Sequence, residues 1–142
     1  MKNVVIFGGS GFLGSYVADE LTRRGYNVTI ADLTSSKFLQ NTQKFVKVDI
    51  LDIKNIEVIL ENADVVYNFV AIANLDDAIH DPINAMKINV MGNLNILEAC
   101  RNNKKIKRFV YASSAYALSS EGSFYGISKQ SSEKLTEEYY KR

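Results

Sequence analysis

A run of glycines between an apolar stretch and a helical repeat limits this chain more than any other feature. Val4-Val5-Ile6-Phe7 is continuously apolar, the pattern of a strand buried on both faces. Gly8-Gly9-Ser10-Gly11-Phe12-Leu13-Gly14 follows at once. Leu13, Val17 and Leu21 then recur at a spacing of four, as one helix face does, and Gly25 stands where a helix C-cap is expected. Gly9, Gly11 and Gly14 match G-x-G-x-x-G, and Gly8, Gly11 and Gly14 match G-x-x-G-x-x-G. An early glycine permits the tight turn. A middle one lets the backbone approach a pyrophosphate, and Gly14 lets the helix pack near the strand. N–H groups at the helix start then meet the phosphate charge. Any tight strand-to-helix turn uses glycine, so the context decides. Asp32 ends the next apolar run, 21 residues after Gly11. A carboxylate there accepts bonds from both ribose hydroxyls of an adenosine and repels a 2′-phosphate. Leu33, Thr34, Ser35 and Ser36 bring no arginine to neutralise such a phosphate. The constellation predicts a dinucleotide site, with NAD favoured over NADP.

The rest of the chain repeats the alternation. Strands are predicted over Val28–Ala31, Phe45–Val48, Val65–Val70 and Phe109–Ala112. Thr34 to Thr42 is polar and reads as a loop or a short turn of helix. Ile53, Ile56, Ile59 and Leu60 make one apolar helix face. Asp81-Pro82 reads as an N-cap with proline at the first helical position, opening a helix to about Cys100. A last helix begins near Tyr125. Such alternation predicts an α/β fold, a parallel sheet with helices on both faces and right-handed crossovers.

Composition removes other classes. The 142 residues are 46% apolar and 23% charged, which suits one globular domain. Lys and Arg number 17 against 16 Asp and Glu, leaving no basic excess for nucleic acid. The apolar stretch Val65 to Ala73 is interrupted by Asn68 and is too short to span a bilayer. The N-terminus lacks a signal-peptide pattern, so a cytoplasmic protein without membrane partners is expected. The single Cys100 excludes an internal disulfide, and no metal site is expected. His80, the only histidine, reads as a surface residue in a loop, and Asp76-Asp77 with Asp81 as a loop carboxylate cluster.

A second constellation lies late in the chain. Tyr125 and Lys129 are four apart and share a helix face. A phenol is a poor base near neutrality, but an adjacent ammonium favours the phenolate and lowers its pKa. The pair can then move a proton. Ser113 and Ser114 end the fifth strand, at the sheet edge where open α/β folds place their ligands. Asp49 ends the third strand, where it serves equally well as an adenine contact, covered by Ile50, or as a helix cap.

Together these motifs resemble the N-terminal part of the extended short-chain dehydrogenase/reductase family, the NAD-dependent sugar epimerases and dehydratases. The resemblance runs from Val4 to the last helix. It implies a Rossmann-like sheet of order 3-2-1-4-5. It assigns cofactor contacts to the loop residues Gly8, Ser10, Gly11, Phe12, Leu13 and Gly14, and to Asp32, Asp49 and Ile50. Asn68-Phe69-Val70-Ala71 is similar to the family's His-Leu-Ala-Ala run, placing Phe69, Val70 and Ala71 beside the nicotinamide. Asn89 to Asn95 resembles its N-V-x-G-T-x-N run, adding Asn89 to the cofactor set. Tyr125 and Lys129 match its Tyr-x-x-x-Lys and would also touch the cofactor. Ser113-Ser114-Ala115 resembles its Ser-Ser-Ala and puts the catalytic serine at Ser114. The stretch from Ser114 to Tyr125 is about half the family's usual length, and Ala117-Leu118-Ser119 replaces its Val-Tyr-Gly.

The resemblance implies hydride transfer between NAD and a nucleotide sugar, with Tyr125 as acid/base, Lys129 lowering its pKa and Ser114 orienting the substrate. The alternative is a dinucleotide-binding module or fragment without turnover. A homodimer through the fourth and fifth family helices is implied, and Met91 and Tyr139 are candidates for its outward face. A six-stranded fold with a substrate lobe needs more chain than this. Residues 1–142 are therefore expected to form an NAD-binding domain that stops before the sixth strand and that lobe.

Overall fold

The computed structural model describes residues 2–142. Five parallel strands form one sheet: β1 (Asn3–Phe7), β2 (Asn27–Asp32), β3 (Lys44–Lys47), β4 (Val65–Asn68) and β5 (Arg108–Tyr111). Their order is β3-β2-β1-β4-β5, so the chain reverses direction across the sheet between β1 and β4, as expected. β1 is central, and its alternate residues feed two cores. Val5 and Phe7 pack with Ala31, Ile56, Val66 and Ile96 on one face, under α2 (Ile53–Ile59) and the start of a later helix. Val4 and Ile6 pack with Ala18, Val28 and Ile30 on the other, under α1 (Phe12–Arg23). Phe7 is fully buried, which contributes roughly 2–3 kcal/mol.

The helix ends follow local chemistry. Gly25, just past α1, has φ +87°, and the Tyr26 N–H donates to the Leu21 carbonyl at 3.0 Å. Asp52 caps α2 by accepting from the Asn55 N–H at 3.2 Å. Asp81 accepts from the Asn84 N–H at 3.0 Å, and Pro82 opens the helix Pro82–Met86 as the sequence predicts.

Several boundaries differ from expectation. β4 ends at Asn68 rather than Val70, because the Asn68 side chain turns the strand out of the sheet by accepting from the Val70 N–H at 3.0 Å. β3 ends at Lys47, one residue early. His80 and the Asp76-Asp77 pair lie in a helix, α3 (Leu75–His80), not a loop. The Asn74 side chain caps it by accepting from the N–H groups of Asp76 and Asp77, whose carboxylates suit the first turn. Six residues are too few to show a helical period in sequence. The helix after Pro82 is not uniform: α4 (Pro82–Met86) widens to a π-turn at Lys87–Met91 before α5 (Gly92–Arg101). Two 3-10 turns, Ala115–Leu118 and Ser120–Gly122, precede α6 (Ser123–Lys141). Among the described residues no helix is long and apolar enough to cross a membrane.

Candidate functional site

The glycine loop closes on itself. Gly8 has φ +77°, and a Cβ there would stand 2.8 Å from the Phe69 carbonyl carbon and the Val70 nitrogen. A Cβ on Gly14 would run into the Gly8 carbonyl oxygen. The N–H of Gly11 donates to that same oxygen at 3.1 Å. Gly11 is the N-cap of α1 with no side-chain capping bond, which leaves the first-turn N–H groups for an outside acceptor. Phe12 and Leu13 carry this turn and are largely exposed.

Asp32 joins the loop to β2. Its Oδ2 accepts from the Ser10 N–H at 3.1 Å and its Oδ1 from the Leu33 N–H at 2.7 Å. Each carboxylate oxygen keeps capacity for a further donor, so two ribose hydroxyls can still be accepted. A cleft of about 470 Å³ opens along this edge of the sheet. Gly8, Gly11, Asp32, Asp49, Ile50, Phe69, Val70 and Ala71 line it, eight of the predicted cofactor residues. Asp49 turns its carboxylate to the Leu51 N–H at 2.9 Å, while capping of α2 falls to Asp52. Ile50 is wedged against Gly92, which has no room for a Cβ, and so forms a fixed floor. Ser10 and Phe12 line a second hollow of about 520 Å³ across the loop. A third, of about 560 Å³ beside Glu20 and Gln40, touches none of the predicted residues.

The residues present fit a dinucleotide. Gly8 and Gly14 make a cradle that side chains would fill, and the Ser10 Oγ is buried in the loop without a hydrogen-bond partner. Such an orphaned hydroxyl is costly unless a ligand satisfies it.

Asn89 is buried, and protein groups take up its amide. Its Oδ1 accepts from the Ile72 N–H at 2.7 Å, and its Nδ2 donates to the Ile72 carbonyl and to Ser128 Oγ. Ser128 Oγ donates to the Tyr125 carbonyl at 2.7 Å, and Ser132 Oγ to the Asn89 carbonyl at 2.6 Å. Asn89 thus ties the cleft wall to the helix carrying Tyr125 and Lys129. Asn68 and Asn93 form a second tie: Asn68 Nδ2 donates to Asn93 Oδ1 at 2.9 Å, with both residues buried. Its signal in the sequence is the polar Asn68 inside an apolar run.

Tyr125 is half-buried at the start of α6, edge-on to the Tyr116 ring at 6.2 Å. Lys129 is buried (3% exposed), and its Nζ donates to the Ala112 carbonyl at 2.8 Å. Nζ lies 5.8 Å from the Tyr125 ring centre and 4.8 Å from that of Tyr111. Burial pushes the Lys129 ammonium down to about 8. The serines separate: Ser113 Oγ donates to Glu133 at 2.6 Å, whereas Ser114 accepts from the Tyr116 N–H at the next turn. Ser114 still has its own proton to give. Cys100 packs against the core, and burial pushes its thiol up to about 12, as an inert cysteine requires.

The Lys129 shift implies a pH dependence. The folded chain loses this proton near pH 8 and the unfolded chain near 10.5. Between those values the unfolded state holds more protons, so this residue makes stability rise with pH. Below pH 8 the cost of burying the charge is fully present. Lys129→Met is expected to stabilise the fold by about 3 kcal/mol at pH 7 and to lose that advantage towards pH 10.5. Urea unfolding at the two pH values checks this, and equal midpoints for the two proteins at pH 7 would refute it.

The model of the NAD dependent epimerase/dehydratase family matches residues 4–142. A UDP-N-acetyl-alpha-D-glucosaminuronate decarboxylase from Bacillus cytotoxicus is 33% identical over 121 residues, covering 81% of this chain and 38% of that protein. A putative UDP-glucose 4-epimerase from Methanocaldococcus jannaschii is 33% identical over 126 residues, covering 85% and 41%. The solved UDP-glucose 4-epimerase of Thermotoga maritima with UDP-glucose superposes with a TM-score of 0.89 at 28% identity, over 99% of this chain and 52% of that one. The Brucella ovis UDP-glucose 4-epimerase in complex with NAD gives 0.89 and 28%, over 98% and 48%. The chain therefore spans about half the length of these structures and less of the curated relatives.

Proposed function

The chain belongs to the NAD dependent epimerase/dehydratase family, and on that footing we propose that it forms the cofactor and catalytic half of an NAD-dependent enzyme acting on a nucleotide sugar. The observation that carries the reading is that the glycine loop and Asp32 line one cleft at the sheet edge, while Asn89 ties the Ile72 wall of that cleft to the helix carrying Tyr125 and Lys129. The loop N–H groups and Ser10 hold the pyrophosphate, Asp32 the adenosine ribose, and Asp49 with Ile50 the adenine. Phe69, Val70 and Ala71 form the wall on the nicotinamide side. Bound NAD supplies the acceptor and donor of a hydride. Tyr125 takes the proton of the reacting sugar hydroxyl and returns it to the carbonyl in the reverse direction. The Lys129 ammonium presents positive charge to the phenolate. Ser114 donates to the substrate oxygen and fixes its distance from Tyr125. Full retention of Ser114, Tyr125 and Lys129 favours turnover over a purely binding module. A cytoplasmic homodimer built through α5 and α6 is part of this reading: Met91, in the π-turn before α5, is exposed, whereas Tyr139 turns inward and donates to Glu98 at 2.6 Å.

Calorimetric titration of the chain with NAD and NADP tests the cofactor reading. NAD is expected to bind at least about tenfold more tightly than NADP, and Asp32→Ala to remove that preference. Absence of NAD binding would refute it.

A further inference from the structure

We propose that Tyr111 is a positioning residue whose ring holds the Lys129 ammonium in place at the active edge. Tyr111 ends β5, and Ala112, whose carbonyl accepts from Lys129 Nζ at 2.8 Å, follows directly. The Nζ is thus held by one short stretch of chain in two ways: a carbonyl to one side and, 4.8 Å away, the centre of the Tyr111 ring. Among the described residues Lys129 has no carboxylate in ion-pair range. The nearest acidic group along α6, Glu133, accepts from Ser113 instead. Of the other charged groups on elements packed against α6, Glu98 is taken up by Arg101 and Tyr139, and Asp76, Asp77, His80, Lys87, Arg101 and Glu121 are exposed. A buried ammonium with one hydrogen bond and no counter-ion needs a further source of negative potential, and the face of an aromatic ring supplies it. Tyr125 offers a second ring, but at 5.8 Å it is the weaker partner.

The Tyr111 hydroxyl has no such use. It is buried and makes no hydrogen bond; Ser132, beside it, donates to the Asn89 carbonyl. An unpaired buried hydroxyl costs stability. The useful part of Tyr111 is therefore its ring. The role of the held lysine rests on the proposed reaction, but the holding itself is testable without it.

The test follows the Lys129 13Cε chemical shift against pH in the chain, beside NAD titration of the same samples. Tyr111→Phe keeps the ring and is expected to leave the Lys129 midpoint within a few tenths of the wild-type value, with no loss of thermal stability. Tyr111→Met keeps the apolar volume without the ring and is expected to lower the midpoint by about one unit, because the charged form loses its partner. Trifluorophenylalanine at position 111 keeps the shape while weakening the ring's negative face, so its midpoint should fall below that of Tyr111→Phe. This third comparison decides the matter if Tyr111→Met does not fold. A midpoint that stays put or rises in both ring-weakened proteins overturns the inference, as does a Tyr111→Phe shift as large as that of Tyr111→Met. Failure of wild-type chain to bind NAD would instead overturn the cofactor reading and leave the Lys129 titration to judge Tyr111 alone.

Discussion

Gly14→Ala is expected to destabilise the fold by about 3 kcal/mol or more and to weaken NAD binding at least about 100-fold. The added methyl would overlap the Gly8 carbonyl oxygen and come within 2.8 Å of Gly9 Cα and 2.9 Å of the Gly8 carbonyl carbon. All three are backbone atoms, so no side-chain rotation relieves the contact. Relief requires either lifting α1 off β1 or opening the loop. Either movement spoils the pyrophosphate cradle, so stability and binding fall together. Gly25→Ala is the control. Its φ of +87° puts an alanine in the left-handed region, but nothing lies within 4 Å of the new methyl. A cost of about 1–2 kcal/mol is expected, with NAD affinity unchanged. Urea unfolding and calorimetry on both variants check this. Equal losses of affinity would show that binding follows global stability, not the loop.

If the proposed reaction holds, Tyr125→Phe is expected to lower turnover of a nucleotide sugar about 100- to 10,000-fold and to change NAD affinity less than about twofold. The phenol sits half-buried with its ring against Tyr116 and its carbonyl held by Ser128, so phenylalanine should occupy the same place. Only the proton carrier is removed. Single-turnover formation of NADH on mixing enzyme, NAD and sugar isolates the affected step. Full activity in the variant would exclude Tyr125 as the acid/base. Ser114→Ala should cost less, because it removes an orienting donor and leaves the proton carrier.

The glycine loop and Asp32 were legible because their chemistry is local or nearly so: a strand, a turn, a helix start and an acid at the end of the next strand. The sheet order followed from the alternation and the resemblance it supported. The sheet edge was harder. Nothing in the spacing of Asn89 says that its amide closes on Ile72 and Ser128, which lie 17 and 39 residues away. Ser113 and Ser114 are equivalent as residue types. The structure distinguishes them by giving Ser113 to Glu133. Helix α3 stayed hidden because six residues cannot show a period, although the cap at Asn74 was there to read.

By itself the sequence determined the strand–loop–helix start, the acid at Asp32, and the Tyr125–Lys129 pair. These depend on backbone sterics and on helix geometry, which act between near neighbours. Tertiary structure alone decided which polar side chains are spent on holding the site and which remain for a ligand. That division depends on burial: once water is excluded, each amide and hydroxyl must find a partner across the fold. Asn68, Asn89 and Ser113 found theirs in the protein, while Ser10 Oγ, buried in the glycine loop, did not.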